Sequence, residues 1–333
     1  MKPKILLVRF DHIGDWVLFH SLWSKVVELN PQFEFHLLVN STQLKIAQAW
    51  GKNHYHSITT IPSSALSYRN PAFIAFYLQL LTRNFQWMIQ TMASPNPEIF
   101  SIFRLPLPFT KKVSGYLGDI QKGFEYQRNF EHLKVLSQLL PLNIQADWQN
   151  FSPEKPQQNP KKYIIFAPGA SSDFRKWDIK NYQTLSHQLS QHCPDLIPVV
   201  MGAASDNLPV VTERNYPTSW PPNTEFLIGK SWQLIKEYLQ QSALVICNDS
   251  AIYHAAIYLN QPTVVISNGN HFGRFIPYPL HAHQKVAYCF PNSHFYNPSY
   301  FADLEKETEE RSTYNIQDIT VNQVLEKALS LNP

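Results

Sequence analysis

Arg9-Phe-Asp-His-Ile-Gly-Asp15 sets two carboxylates, an imidazole and a glycine between an apolar run and a stretch with apolar residues at helical spacing. Gly14 at such a strand-to-helix turn lets backbone amides approach a ligand, and a helix N-terminus favours negative charge. Asp15 at this mouth can take a proton from a hydroxyl within hydrogen-bond reach, which is general base catalysis. The same spacing also suits a plainer role, in which Asp11 or Asp15 caps the helix.

A second constellation follows the apolar run Tyr163 to Ala167: Pro168-Gly-Ala-Ser-Ser-Asp-Phe-Arg-Lys-Trp177. Gly169, Ala170 and Ser171 offer amides and a hydroxyl, while Arg175 and Lys176 add positive charge. Those are the parts that hold a diphosphate. A cation there stabilises a departing phosphate more in the transition state than in the ground state. Read without a ligand, Arg175 and Lys176 are a solvated pair and Trp177 plugs a core. Further on, Asn248-Asp249-Ser250-Ala251-Ile-Tyr-His254 leaves a strand and opens a helix. Asp249 and Ser250 can cap that helix while its free amides face an anion, and His254 falls four residues from Ser250 on the same face. A histidine so placed is either a satisfied core residue or a supporting group for a ligand.

The elements that carry these segments are legible from periodicity. Strand Lys4 to Phe10, helix Trp16 to Leu29 and strand Glu34 to Val39 form a β-α-β unit, with a later strand at Trp87 to Met92. Phe151 to Lys162 is rich in proline and polar residues and reads as a linker. The pattern then restarts: strand Tyr163 to Ala167, helix Tyr182 to Gln191, strand Leu196 to Met201, helix Trp232 to Gln241, strand Leu244 to Cys247, helix Ser250 to Leu259, strand Thr263 to Ser267, and a last helix capped by Thr320. Two doubly wound α/β domains, 1–155 and 160–333, are expected, with a ligand crevice at the carboxyl ends of the strands.

Composition supports this and excludes other classes. The 333 residues exceed what one hydrophobic core organises, and 44% hydrophobic against 16% charged residues suffices for two cores. No apolar run approaches the ~20 residues of a membrane span. The chain opens Met-Lys-Pro-Lys without the apolar stretch of a secretory signal, which predicts a cytoplasmic protein. Cys193, Cys247 and Cys289 have neither disulfide nor zinc spacing, and no metal or other cofactor is expected. A net charge of +3 does not call for nucleic acid.

Two families are suggested by these motifs. His12-Ile-Gly-Asp15 invites comparison with the His-x-Gly-His signature of nucleotidylyl transferases and one class of aminoacyl-tRNA synthetases, but Asp15 replaces the second histidine and no lysine-rich catalytic loop follows. Four segments in register resemble glycosyltransferase family 9, the ADP-heptose:lipopolysaccharide heptosyltransferase-like family. They are Ile5-Leu-Leu-Val-Arg-Phe-Asp-His-Ile-Gly-Asp15, Phe166-Ala-Pro-Gly-Ala-Ser171 with Arg175 and Trp177, Leu227-Ile-Gly-Lys-Ser231, and Val245-Ile-Cys-Asn-Asp-Ser-Ala-Ile-Tyr-His254 followed by Pro262-Thr-Val-Val-Ile.

The resemblance implies a GT-B fold, with two Rossmann-like domains facing across a cleft, and inverting, metal-independent transfer. The sugar, heptose or another hexose-like one, would pass from a nucleotide diphosphate donor to a glycan or lipid-linked glycan acceptor of bacterial lipopolysaccharide or capsular and surface polysaccharide. Asp15 would be the base on the acceptor hydroxyl and Arg175 the group neutralising the donor pyrophosphate. Asp249, Ser250 and the amides from Ala251 would hold donor sugar and phosphate, supported by His254; Ser171, Lys230 and the loop at Gly202 would complete the nucleotide pocket. The alternative is a catalytically inactive nucleotide-binding scaffold of a polysaccharide assembly complex.

Departures from the family pattern bear on specificity. Asp11-His12 replaces a serine or threonine pair, Ala251 a glycine, and Ser267-Asn-Gly-Asn-His-Phe-Gly-Arg274 a Gly-Pro-Thr-like loop. Asn268 and Gly269 in that last loop would border the sugar end of the donor. On the acceptor side, Phe73, Phe76, Tyr77, Phe85 and Trp87 precede Arg104 and Lys111-Lys112. They form either a core helix with a solvated loop or a face that touches the inner membrane leaflet, and helical spacing of aromatics favours the core.

Overall fold

The computed structural model describes residues 2–61, 70–92, 102–107, 110–113, 123–154, 159–206, 220–279, 285–296 and 312–333. The chain divides into two compact units, one of Met1–Gln121 with Glu125–Phe151, the other of Lys122–Phe124 with Ser152–Pro333. Of the expected linker, residues 155–158 lie outside the described residues.

In the first unit β1 (Lys4–Arg9), α1 (Ile13–Leu29), β2 (Glu34–Val39), α2 (Ser41–Gly51), β3 (Ser57–Thr60), α3 (Pro71–Arg83), β4 (Trp87–Gln90), β5 (Lys111–Val113) and α4 (Glu125–Leu139) follow in order. The strands form a parallel sheet in the order β3-β2-β1-β4-β5. Every residue of β1 from Ile5 to Arg9 is buried, as expected of a parallel strand covered on both faces. Helix α3 starts at Pro71 with Asn70 accepting from the Ala72 amide at 2.9 Å, and Asn84 ends it in the left-handed region at φ 51°. It buries Phe73, Phe76 and Leu80 with Phe85 and Met88, so the aromatic segment is a core helix. Its other face leaves Ile74, Leu78 and Leu81 exposed.

The second unit runs β6 (Tyr163–Ala167), α5 (Ile179–His192), β7 (Ile197–Gly202), β8 (Glu225–Ile228), α6 (Trp232–Gln240), β9 (Ser242–Asn248), α7 (Ala251–Tyr258), β10 (Thr263–Ile266), β11 (Val286–Cys289) and α8 (Val321–Ser330). Its parallel sheet has the order β11-β10-β9-β6-β7-β8. Numbered from its own first strand, that is the 3-2-1-4-5-6 order of a dinucleotide-type sheet, and the first unit repeats it less one strand. Trp177 is buried in the core with Tyr182, Leu244 and Val324. Its indole N–H donates to the Ile319 carbonyl at 2.8 Å, so the tryptophan closes the core as expected. Thr320 and Gln323 form a reciprocal capping box on α8.

Both sheets change winding direction beside their first strand. The switch point, where sheets of this kind bind ligands, lies between β1 and β4 in the first unit and between β6 and β9 in the second. The three main sequence motifs leave the ends of β1, β6 and β9.

Candidate active site

In the first unit, α1 begins at Ile13, three residues earlier than the apolar spacing indicates. Asp15 therefore stands in its first turn, half-buried. The cap residue is His12, whose side chain makes no capping bond. Asp11 does not cap the helix; it pairs with Arg9 and accepts from Gln43 Nε2, while its carbonyl accepts from Asn40 Nδ2 at 2.9 Å. Arg9, 1% exposed, also donates from Nη1 to the Thr91 carbonyl at 2.7 Å and to Asn129 Oδ1 at 2.9 Å. Burial pulls the Arg9 guanidinium down, but Asp11, Glu125 and Asp15 outweigh it and its pKa is raised. A fixed cation thus ties the ends of β1 and β4 together beneath the first turn of α1, which carries Gly14 and Asp15. His132 on α4 is pushed down to about 4 by burial and by Arg9, so it stays neutral at pH 7.

In the second unit the expected residues leave five neighbouring strands. Gly169 to Ser171 follow β6, Gly202 ends β7, Lys230 follows β8, Asp249 to Ala251 follow β9, and Asn268 with Gly269 follow β10. Arg175 binds this row together. Its Nη2 donates to both the Asp249 carbonyl and Oδ2 at 2.6 Å, and its Nη1 to Ser171 Oγ at 3.1 Å. Asn268 Nδ2 donates to the Phe174 carbonyl at 3.2 Å, which draws the β10 loop to the same turn. The Gly229 amide donates to the Gly202 carbonyl at 2.9 Å, so the loop at Gly202 meets the one that carries Lys230.

Two polar atoms beside Asp249 are buried without a hydrogen-bond partner, Arg175 Nε and Ser250 Oγ. Ser250 is the cap residue of α7, yet its hydroxyl makes no capping bond. The first α7 amides, an unspent hydroxyl and an unspent guanidinium N–H thus lie around one aspartate, an arrangement suited to a phosphate or a sugar hydroxyl. His254 is buried on α7 with Nδ1 3.0 Å from the Tyr278 hydroxyl. Burial lowers its pKa to about 4, against the pull of Asp249 and with the help of Arg175, so it is a neutral imidazole at pH 7. Lys176 turns away to Asp173 Oδ1 at 2.9 Å, as the solvated-pair reading has it.

The sequence model of "Glycosyltransferase family 9 (heptosyltransferase)" matches residues 45–294. This chain belongs to glycosyltransferase family 9. The match spans the residues from Gly169 to Gly269 expected to hold a donor and starts beyond Gly14 and Asp15. No curated protein matches significantly. Among solved structures, Escherichia coli heptosyltransferase WaaC with ADP-2-deoxy-2-fluoro heptose superposes with TM-score 0.70 at 13% identity, covering 99% of this chain and 100% of that one. E. coli ADP-heptose lipopolysaccharide heptosyltransferase II gives 0.68 at 16%, covering 99% and 98%. A family 9 glycosyltransferase from Veillonella parvula DSM 2008 gives 0.68 at 15%, again covering 99% and 98%. These likenesses show the fold, two parallel-sheet α/β units of the GT-B kind.

Several residues of this candidate site are not singled out by the sequence. Asn248 is fully buried; its Oδ1 accepts from the Tyr182 hydroxyl at 3.0 Å and the Trp177 amide at 3.3 Å, and its Nδ2 donates to the Pro168 carbonyl at 2.6 Å. It fixes the β6 loop to the end of β9. Asp206 caps the turn after β7 by accepting from the Ala203 amide at 2.7 Å, and its carboxylate packs on Gly169, where a Cβ would meet Oδ2 at 2.3 Å. Asn248 could have been noticed as an amide at the end of the apolar run Ala243 to Cys247, and Arg9 as a charge ending Ile5 to Val8. Nothing local announces Asp206.

Proposed function

We propose that this chain is an inverting glycosyltransferase that moves heptose or a similar sugar from a nucleoside diphosphate donor to a glycan acceptor of bacterial lipopolysaccharide or surface polysaccharide. The observation that carries the reading is the Ser171–Arg175–Asp249 constellation at the switch point of the second sheet, with Arg175 Nε and Ser250 Oγ unspent beside the α7 N-terminus. Arg175 takes the diphosphate oxygens as the sugar–phosphate bond breaks. Asp249 holds that guanidinium in place and offsets part of its charge, so the α7 amides and Lys230 supply the remaining attraction for a dianion. Asp249 and neutral His254 are left to meet sugar hydroxyls. Asp15 accepts the proton of the attacking acceptor hydroxyl as that oxygen bonds to the anomeric carbon, and the single displacement inverts its configuration. These residues supply the charge stabilisation without a metal.

The donor unit in this reading is 160–333 and the acceptor unit 1–155. The Ser171–Arg175–Asp249 constellation at the strand ends of that unit supports the first assignment. Two features support the second: the carboxylate of Asp15 in the first turn of α1 beyond the β1 end, and the exposed Ile74, Leu78 and Leu81 of α3, which suit an acceptor on a lipid carrier at the inner leaflet. Among the described residues no helix is long and apolar enough to cross a membrane.

Incubation with a panel of ADP-, GDP-, UDP- and CDP-sugars and a lipid-linked glycan extract tests the proposal. Release of nucleoside diphosphate with gain of one sugar on the acceptor is expected. Donor binding without turnover by any sugar would identify an inactive scaffold instead, and pyrophosphate release from a nucleoside triphosphate would identify a nucleotidylyl transferase.

A further inference from the structure

At the amino end of the first sheet, away from any residue given a role in transfer, two histidines and a glutamate come together. Glu34 and His36 alternate along β2 and so project from one face of the sheet. His36 pairs in register with Ser57 of β3, which brings the preceding His56 alongside, its amide fixed to the Phe35 carbonyl at 2.7 Å. A carboxylate oxygen of Glu34 and a ring nitrogen from each histidine lie within 4.8 Å of one another.

His36 gives this cluster its direction. Only 4% of the residue is exposed, and its ring packs against Phe85 at 5.1 Å between centroids. Nδ1 is 2.7 Å from Ser57 Oγ, while Nε2 is buried with no hydrogen-bond partner and 3.8 Å from Glu34 Oε2. Arg83 Nη1 donates to the same Ser57 oxygen at 3.1 Å, leaving that oxygen a lone pair for Nδ1–H. With Nδ1–H bound there, Nε2 presents its lone pair towards Glu34 and His56. A metal-ligating histidine is usually held in this way, its far nitrogen bound to an oxygen and its near nitrogen left for the ion. A buried acceptor left without a partner otherwise costs stability.

We propose that Glu34, His36 and His56 form a binding site for a divalent transition-metal ion of the zinc, cobalt, nickel or copper type. Two imidazoles and one carboxylate are a donor set for those ions rather than for magnesium or calcium, which take oxygen. Tetrahedral coordination with bonds of about 2.05 Å needs ligand atoms about 3.3 Å apart. The half-buried Glu34 and exposed His56 close the remaining gap by rotating side chains, while His36 stays in place. A water completes the fourth position. Arg83 and Lys4 act on His36 as nearby positive charges and oppose the ion, so the site is weaker than its donor set alone would make it.

The site is structural. His36 lies four residues before Asn40, the contact to Asp11, and at about 3.3 Å per strand residue that is roughly 13 Å along the sheet. Bound metal would tie β2 to the start of β3, an edge strand of four residues whose Ser57 hydroxyl already joins His36 and Arg83.

Metal-stripped full-length chain titrated with ZnCl2 by calorimetry, and with CoCl2 by visible absorption, tests the inference. One saturable equivalent of zinc at micromolar affinity is expected, with cobalt d–d bands, both weakened at least tenfold in His56→Ala and in Glu34→Gln. Both residues reach solvent, so these variants keep the fold, and an unchanged far-UV spectrum and melting temperature without metal would verify that. His54→Ala, which removes the separate His54–Glu28 contact at 3.2 Å, should bind as the parent does. Absence of saturable binding, or equal binding by parent, His56→Ala and Glu34→Gln, would overturn the site.

Discussion

Arg175 shows what a single side chain contributes here. Its two terminal nitrogens reach Ser171 and Asp249, and Asp249 is 3% exposed, so removing the guanidinium outright would strand a buried carboxylate. Arg175→Lys keeps the charge but loses the planar fork. At about 1.5–3 kcal/mol per charged hydrogen bond, nucleoside diphosphate affinity should fall about ten- to hundredfold. Calorimetry against the preferred diphosphate, with the urea midpoint as a fold control, measures it. Sequence order offered Arg175 and Asp249 as separate candidates, 74 positions apart, and only the sheet order joins them. Asn248 was legible as part of a motif but not as the strut it is, since its partners Pro168, Trp177 and Tyr182 lie 66 to 80 positions earlier.

Elements were readable where their burial pattern is local. Strands β1, β2, β6 and β10 are buried runs and appear in the sequence nearly as they fold. The outer strands β3, β5, β8 and β11 have three or four residues with half-exposed positions, too short and mixed to stand out from loops. Helix α8 was announced by its cap. Thr320→Ala removes half of the capping box and should cost about 1 kcal/mol in urea unfolding of the parent chain while leaving donor affinity unchanged. Helix α3 was legible as a core helix from Phe73 and Phe76, yet its outward Ile74, Leu78 and Leu81 were not, because the apolar residues run nearly all round. If that face rests on lipid, Leu78→Asp should lower co-sedimentation with anionic vesicles several-fold and leave the urea midpoint within about 0.5 kcal/mol of the parent.

For the molecule as a whole, the restart of the β-α pattern after Phe151 made two units legible, and the matching strand orders account for why the motifs recur at strand ends in both. Buried neutral histidines set the acid limit of this fold. His132 and His254 titrate near 4 when folded and near 6.5 when unfolded, so the unfolded chain binds more protons between those values. Stability is therefore complete above about pH 6.5 and declines as pH falls towards 4. Each should cost about 2 kcal/mol by pH 5, and urea midpoints from pH 7.5 to 5 should flatten in His132→Gln. The central claim is that the first unit supplies the base and the second grips the donor. Its most direct test is Asp15→Asn, with turnover and donor affinity measured on one preparation. Transfer reduced at least ~100-fold with an unchanged donor dissociation constant is predicted; parental turnover in that variant would contradict the account.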